Sequence, residues 1–323
     1  MVSRPRSGRP LRTLLAALVA VSVAVPVSGA ARPAAVPAPA PVALAPLRTA
    51  AGPGALAGRY ALNRAGIRAA ARMAEGHGDR ARARALRRMA GPNRQFLSFD
   101  GRGGGRTVEV LGDLARAARI AVLVPGSDTN LDTYGRFLKG ATALRRTLDA
   151  RTVVVAWLGY PTPGTVSPDV LTTGLADSAA PQLRSYLGDM AALRPAARIS
   201  VLCHSYGSVV CGRAAPGLSV ANLVLYGSPG AGADSASALH TRAAVWAGRG
   251  ADDWIAHVPH GRLRLPFVTV GLGTDPMSDA FGARVFAAGA GGHSDYLAPG
   301  SVALRNIARI VSGRTPAEGH RDA

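Results

Sequence analysis

The residues best suited to chemistry lie in the run Val201-Leu202-Cys203-His204-Ser205-Tyr206-Gly207-Ser208. An apolar β-type stretch, Ile199 to Leu202, drives into a small-x-Ser-x-Gly turn, and a helix-like segment, Tyr206 to Ala214, follows. A serine on so tight a strand-to-helix turn projects its hydroxyl above the sheet edge, where it can act as a nucleophile. Gly207 lets the helix pass close to the strand. The N–H of Tyr206, near the helix N-terminus, is placed to bind a developing oxyanion. The first position of such a turn usually holds Gly, and here it is Cys203. The plainer reading is a Ser-Gly turn that opens an ordinary helix.

A serine needs a base, and the base needs an orienting acid. Where the nucleophile sits on a strand-to-helix turn, the acid and then the base follow it in the chain. Of seven histidines, His293 in Gly291-Gly292-His293-Ser294-Asp295-Tyr296 is best placed, after the last strand pattern and before the final helix. His204 abuts the serine, but on so sharp a turn its side chain points elsewhere. His77 and His320 lie in the flanks, and His240, His257 and His260 come too early. For the acid, Asp253 before Trp254-Ile255 is the choice, with Asp252 the close alternative and Asp275, in an Asp-Pro turn, third. A second oxyanion donor is expected from the loop after an early central strand. Val122-Leu123-Val124-Pro125-Gly126-Ser127 ends such a strand, so the N–H of Ser127 pairs with that of Tyr206.

These residues need a scaffold, and the pattern around them alternates strand and helix. Strand patterns fall at Gln95–Phe99, Thr107–Leu111, Ile120–Val124, Val153–Leu158, Ile199–Cys203, Leu223–Tyr226 and Ala243–Trp246, then Val268–Val270, Arg284–Ala287 or both. Helical patterns fall at Leu131–Leu148, Leu175–Leu193 and Ala298–Val311. Apolar runs separated by amphipathic helices predict an α/β fold: a mostly parallel sheet with helices on both faces. Ligands of such sheets bind beyond the carboxyl ends of the strands, where Ser205 falls. Asp100-Gly101-Arg102-Gly103-Gly104-Gly105 precedes a strand rather than a helix, which makes it a hairpin turn and not a phosphate loop. The loop Gly227 to His240 leaves room for little or no cap domain. A fairly open site lined by Tyr134, Tyr160 or Trp254 is expected.

The flanks read differently. Arg4, Arg6, Arg9 and Arg12, the apolar run Leu14 to Val25 and Ser28-Gly29-Ala30 have the form of a secretory signal peptide over 1–30. An Ala/Pro-rich linker is expected over 31–58, an Arg-rich helical arm over 59–94, the main domain over 95–313 and a disordered tail over 314–323. Within the arm, Leu62, Ile67, Met73 and Leu86 could dock on the main domain. The formal charge is +19, and Lys139 is the single lysine. Few aromatics and no nucleic-acid fold signature argue against a specific nucleic-acid partner, while a weak contact with an anionic cell envelope fits the charge. Cys203 and Cys211 are expected as two buried thiols, because the window for pairing is narrow; a disulfide is the alternative. No Cys-x-x-Cys or His-Glu-x-x-His pattern points to a metal.

The segments Leu97-Ser-Phe-Asp100, Val110-Leu-Gly-Asp-Leu114, Val122-Leu-Val-Pro-Gly-Ser127, Trp157-Leu-Gly-Tyr-Pro161, His204-Ser-Tyr-Gly207, Gly227-Ser-Pro-Gly230, Asp253-Trp-Ile255 and Gly292-His-Ser-Asp-Tyr296, in this order, resemble an actinobacterial α/β-hydrolase family of largely undefined substrate. The resemblance covers Gln95 to Gly313. It implies the α/β-hydrolase fold, Ser205 as nucleophile, His293 as base and an Asp after the strand carrying Trp246 as acid. Cys203 departs from the Gly that the family more often shows.

The expectation is therefore a secreted or envelope-associated serine hydrolase. It would act on an ester or related acyl bond of a small-molecule or lipid-like substrate, and it would need no cofactor. A serine peptidase or amidase of the same fold, and a non-catalytic envelope-binding module using the Arg-rich arm, are the alternatives.

Overall fold

The computed structural model describes residues 36–50, 52–264 and 269–319. The expected signal peptide, the start of the linker and the last residues of the tail lie outside them. From Pro37 onward the chain forms one compact unit.

Its centre is an eight-stranded sheet of order β1-β2-β4-β3-β5-β6-β7-β10. The strands are β1 (Gln95–Asp100), β2 (Arg106–Leu111), β3 (Arg119–Val124), β4 (Thr152–Leu158), β5 (Arg198–His204), β6 (Asn222–Tyr226), β7 (Ala244–Gly248) and β10 (Arg284–Val285). β1–β2 and β2–β4 are antiparallel, and every other pair is parallel. Ile120, Val122 and Val124 of β3 and Val201 and Cys203 of β5 share one core with α4 (Gly174–Leu193) and α5 (Gly207–Ala214). Ala121, Leu123 and Leu202 alternate to the other face, where α3 (Tyr134–Thr147) and α6 (Val302–Val311) pack. A strand buried on both faces needs an unbroken apolar run, and for that reason the parallel strands were readable as such.

Parallel register aligns the strand ends. Val124 is level with Cys203, His204 with Tyr226, and Tyr226 with Gly248. The loops leaving β3, β5, β6 and β7 thus emerge side by side along one edge. Among the described residues no cap domain covers that edge. It is bordered instead by the loop 159–173 and by a separate antiparallel pair, β8 (Gly261–Arg264) with β9 (Thr269–Gly273). Of the two expected late strands, only Arg284–Val285 joins the main sheet, beside β7. The 269–273 segment pairs antiparallel with β8 instead.

The flanks differ from expectation. The Arg-rich arm is a pair of helices, α1 (Pro53–Gly76) and α2 (Arg80–Met89), and it starts six residues earlier than 59. Gly52 precedes the helix and Pro53 occupies its first turn, a start signal that the Ala/Pro composition masks. Ile67 and Leu86 are buried as expected, whereas Leu62 and Met73 are 49% and 41% exposed, on the opposite face of α1. Arg82 is buried and forms a two-point pair with Asp132. The Arg94 guanidinium meets the buried Glu109 carboxylate. The expected free linker is tied down as well: Leu47 and Ala50 enter the core, and Arg59 donates to the Ala45 carbonyl. The described part of the tail is not free either, since Ala287 donates to the Ala317 carbonyl and Ala317 to the Asn306 side chain. The glycine run after Asp100 is a hairpin turn, closed by Arg102 and Arg106 on the Asp100 carboxylate.

Candidate active site

Ser205 has φ +52°, one of three positive values for non-glycine residues among those described. Left-handed backbone costs energy for any residue with a Cβ and persists where the surroundings impose it. Here the Ser205 N–H donates to the Tyr226 carbonyl (3.1 Å), and α5 begins two residues later. A Cβ on Gly207 would lie 2.6 Å from the Pro125 carbonyl oxygen, so only glycine lets the helix start against the end of β3. Gly126 is as tightly constrained, because a Cβ there would lie 2.6 Å from the Ser205 Cβ.

The chain brings three distant side chains together. His293 Nε2 lies 2.8 Å from Ser205 Oγ, and its Nδ1 lies 2.9 and 3.0 Å from the two Asp253 oxygens. Asp253 is fully buried at the start of a short helical turn and also accepts from the Ile255 N–H (2.9 Å). Burial pushes its carboxyl up, but hydrogen bonds from His293, Tyr296 and Ile255 outweigh that and hold it below its ordinary value. An ionised Asp253 fixes the proton on His293 Nδ1 and leaves the Nε2 lone pair facing the serine hydroxyl. The two other acids lie elsewhere. Asp252 is exposed with no hydrogen bond to His293, and Asp275 pairs with Arg249 (2.7 Å).

Two contributors escape sequence reasoning. The Tyr296 hydroxyl donates to Asp253 and accepts from the Gly250 N–H (3.0 Å). An aromatic three residues after the base was the visible signal, without a stated role. His204 does point away from the serine, and its Nε2–H donates to the His293 carbonyl (2.8 Å). Its ring centre is 4.7 Å from that of His293. Burial and the neighbouring His293 push the His204 pKa down to about 4, so it is a neutral donor at physiological pH.

Ser127 and Tyr206 line the same cleft as Ser205, and among the described residues no backbone acceptor takes their N–H groups. Their loops are held from behind. Tyr206 donates its hydroxyl to the Thr172 carbonyl (2.7 Å), Tyr160 donates to the Pro125 carbonyl (2.7 Å), and Asp128 accepts from Thr165.

Ser205 lies 8% exposed at the floor of a cleft of about 870 Å³, a more enclosed site than the open groove expected. Trp254 lines it, 47% exposed, with its ring 4.8 Å from that of His293. Tyr134 and Tyr160 do not line it. Both are buried, Tyr134 with its hydroxyl on Glu109 (2.8 Å) and Tyr160 stacked on Trp157 beneath the Pro125 turn. A tyrosine whose hydroxyl finds an internal acceptor gains from full burial, which is why these two are inside. The cysteine expectation is also corrected: Cys203 and Cys211 form a disulfide, with Cα atoms 6.4 Å apart. The step from strand to helix across the serine brings the two backbones within bonding range.

A family described as alpha/beta hydrolase matches residues 100–262, about half of the chain. Two curated relatives from Mycobacterium tuberculosis, uncharacterized proteins Rv2079 and MT2140, are each 31% identical over 251 residues. The match takes in 67% of this chain, which spans 38% of the length of those relatives. Among solved structures, XC6422 from Xanthomonas campestris, described as a serine hydrolase without lid, is 18% identical with TM-score 0.44. That alignment covers 69% of this chain and 95% of the other. Esterase PE8 is 13% identical with TM-score 0.42, covering 63% and 96%.

Proposed function

Because the chain belongs to the alpha/beta hydrolase family, we propose that it is a serine hydrolase that cleaves an ester or related acyl bond. The observation that carries this reading is the unbroken line Asp253–His293–Ser205, ending on a left-handed serine at the floor of a cleft.

In this mechanism Ser205 Oγ attacks the substrate carbonyl carbon while its proton passes to His293 Nε2. The carbonyl oxygen becomes an oxyanion held by the N–H groups of Ser127 and Tyr206. Collapse of the tetrahedral adduct breaks the bond to the alcohol, which takes the proton from Nε2 and leaves an acyl-Ser205. Water, deprotonated by the same nitrogen, attacks that acyl group, and the proton returns to Ser205 as the acid departs. Asp253 stabilises the imidazolium formed in each half. Tyr296 and His204 position Asp253 and His293 through the hydrogen bonds described above.

Action outside the reducing cytoplasm is part of the proposal. Its support is the N-terminal sequence and the Cys203–Cys211 disulfide, a bond that persists in oxidising compartments.

The test is labelling with a fluorophosphonate probe together with turnover of p-nitrophenyl butyrate, wild type beside Ser205→Ala. The expected result is labelling and turnover in the wild type and neither in the variant. Labelling or full turnover retained by Ser205→Ala, or an unreactive folded wild type, refutes the assignment.

A further inference from the structure

The cleft above Ser205 is much larger than a short acyl group needs, and its chemistry is uneven. At about 870 Å³ it lies near the upper end of the range that holds drug-sized ligands. Its walls include Phe137 and Leu297 on the α3 side, Val170 and Leu272 opposite, and Ile255 and Val258 beyond Trp254. The charged groups on its lining are largely committed elsewhere. Asp128 is bound to Thr165 and Arg262 is paired with Asp234, whereas His260 Nε2, 3.8 Å from Asp275, makes no hydrogen bond among the described residues. Arg136 is exposed on α3.

The mouth carries apolar side chains as well, beside the exposed Asp169 on the same loop. Among the described residues, six large apolar side chains stand well exposed: Val42, Leu62, Met73, Val166, Leu171 and Trp254. Leu171 (48%) and Trp254 (47%) line the cleft, and Val166 (93%) follows the lining residue Thr165 on the same loop. Singly exposed apolar residues are ordinary, whereas a group of them around a cleft marks a surface that meets something apolar. Tryptophan suits such a boundary, because its ring takes apolar contact while its N–H stays wet.

We propose that the substrate is a lipid ester with a medium or long acyl chain, drawn from a lipid phase on which the Val166–Leu171–Trp254 mouth rests. This rests on the serine-hydrolase reading and adds the substrate class and its source to it. The acyl chain runs along the apolar walls with its carbonyl at Ser205. Each methylene buried there gains about fourfold in kcat/KM, the equivalent of about 0.8 kcal/mol.

The experiment uses the full chain with p-nitrophenyl esters from acetate to dodecanoate. Dodecanoate is also presented in phosphatidylcholine vesicles, and fluorophosphonate labelling of Ser205 is followed in parallel. The expected result is a kcat/KM at least about tenfold higher for octanoate than for acetate, the gain from burying as few as two of the added methylenes. Val166→Glu and Val166→Lys should both lose about fivefold or more on vesicle-borne dodecanoate while soluble butyrate is turned over within about twofold of wild type, because removing apolar contact weakens lipid binding whatever the sign of the charge. A labelled enzyme whose rate is flat or falls with chain length overturns the acyl-chain inference alone. Unchanged vesicle activity in both Val166 variants overturns the lipid-surface part. Absent labelling, with no ester turned over, overturns the hydrolase reading and this inference with it.

Discussion

Replacing Tyr296 by Phe removes one oxygen and tests the support beneath the proposed catalytic line. The hydroxyl makes two bonds, donating to Asp253 and accepting from the Gly250 N–H. The Asp253 side chain has no solvent exposure, so water cannot replace the lost donor. A hydrogen bond to a charged partner contributes about 1.5–3 kcal/mol, and an unpaired buried N–H costs about 1 kcal/mol or more, for a total of about 3 kcal/mol. Urea unfolding at pH 7 reads this directly. The pH dependence supplies the stricter test. Asp253 is held below its ordinary pKa, so its ionised form contributes stability above the unfolded value of about 3.9, and that contribution is lost as pH falls through the folded value. The part of the Tyr296 bond that depends on charge follows the same course. The gap between wild type and Tyr296→Phe should therefore be largest near neutral pH and shrink by about half below pH 4. Activity should fall about tenfold, the equivalent of about 1.4 kcal/mol. A variant within about 0.5 kcal/mol of wild type, the resolution at which independent sites are told from coupled ones, or a gap that stays the same from pH 7 to well below pH 4, refutes the reasoning.

Gly207→Ala drives a Cβ to 2.6 and 2.7 Å from the Pro125 and Val124 carbonyl oxygens and should cost about 1–3 kcal/mol by overpacking, with ester turnover largely lost. Gly188→Ala, within α4 and with open space around its Cβ, is the control and should stabilise by up to about 1 kcal/mol in the same urea titration. The double variant Cys203→Ala/Cys211→Ala opens a loop of eight residues' separation around Ser205 and should lower unfolding free energy by about 2.5 kcal/mol; equal stability of oxidised and reduced wild type would contradict this. Glu109→Gln leaves the Arg94 guanidinium without its buried carboxylate and should cost about 3–5 kcal/mol, part of it recovered by also replacing Arg94 with Gln, as a double-mutant cycle measures.

Local geometry was legible in the chain alone. Ile199 to Leu202 reads as a buried strand because Ile199, Val201 and Leu202 place apolar side chains on both its faces, and Gly207 two residues after Ser205 reads as a close helix start. The chain order Ser205, Asp253, His293 was legible for the same reason: each follows a recognisable strand pattern. Start signals were partly hidden, as at Pro53, where Ala/Pro composition resembles a linker while Pro at the first turn opens a helix. Which side chains meet was set by the packing of distant elements. Ser205 and His293 are 88 residues apart, and Asp253 and His293 are 40 apart. Their contacts depend on β5, β6 and β7 lying side by side in register. The Cys203–Cys211 bond, the Tyr296 hydroxyl on Asp253 and the burial of Tyr134 and Tyr160 depend on separations of a few ångströms between packed elements. Periodicity and turn propensity are properties of neighbours along the chain, whereas a hydrogen bond or a disulfide is set by neighbours in space.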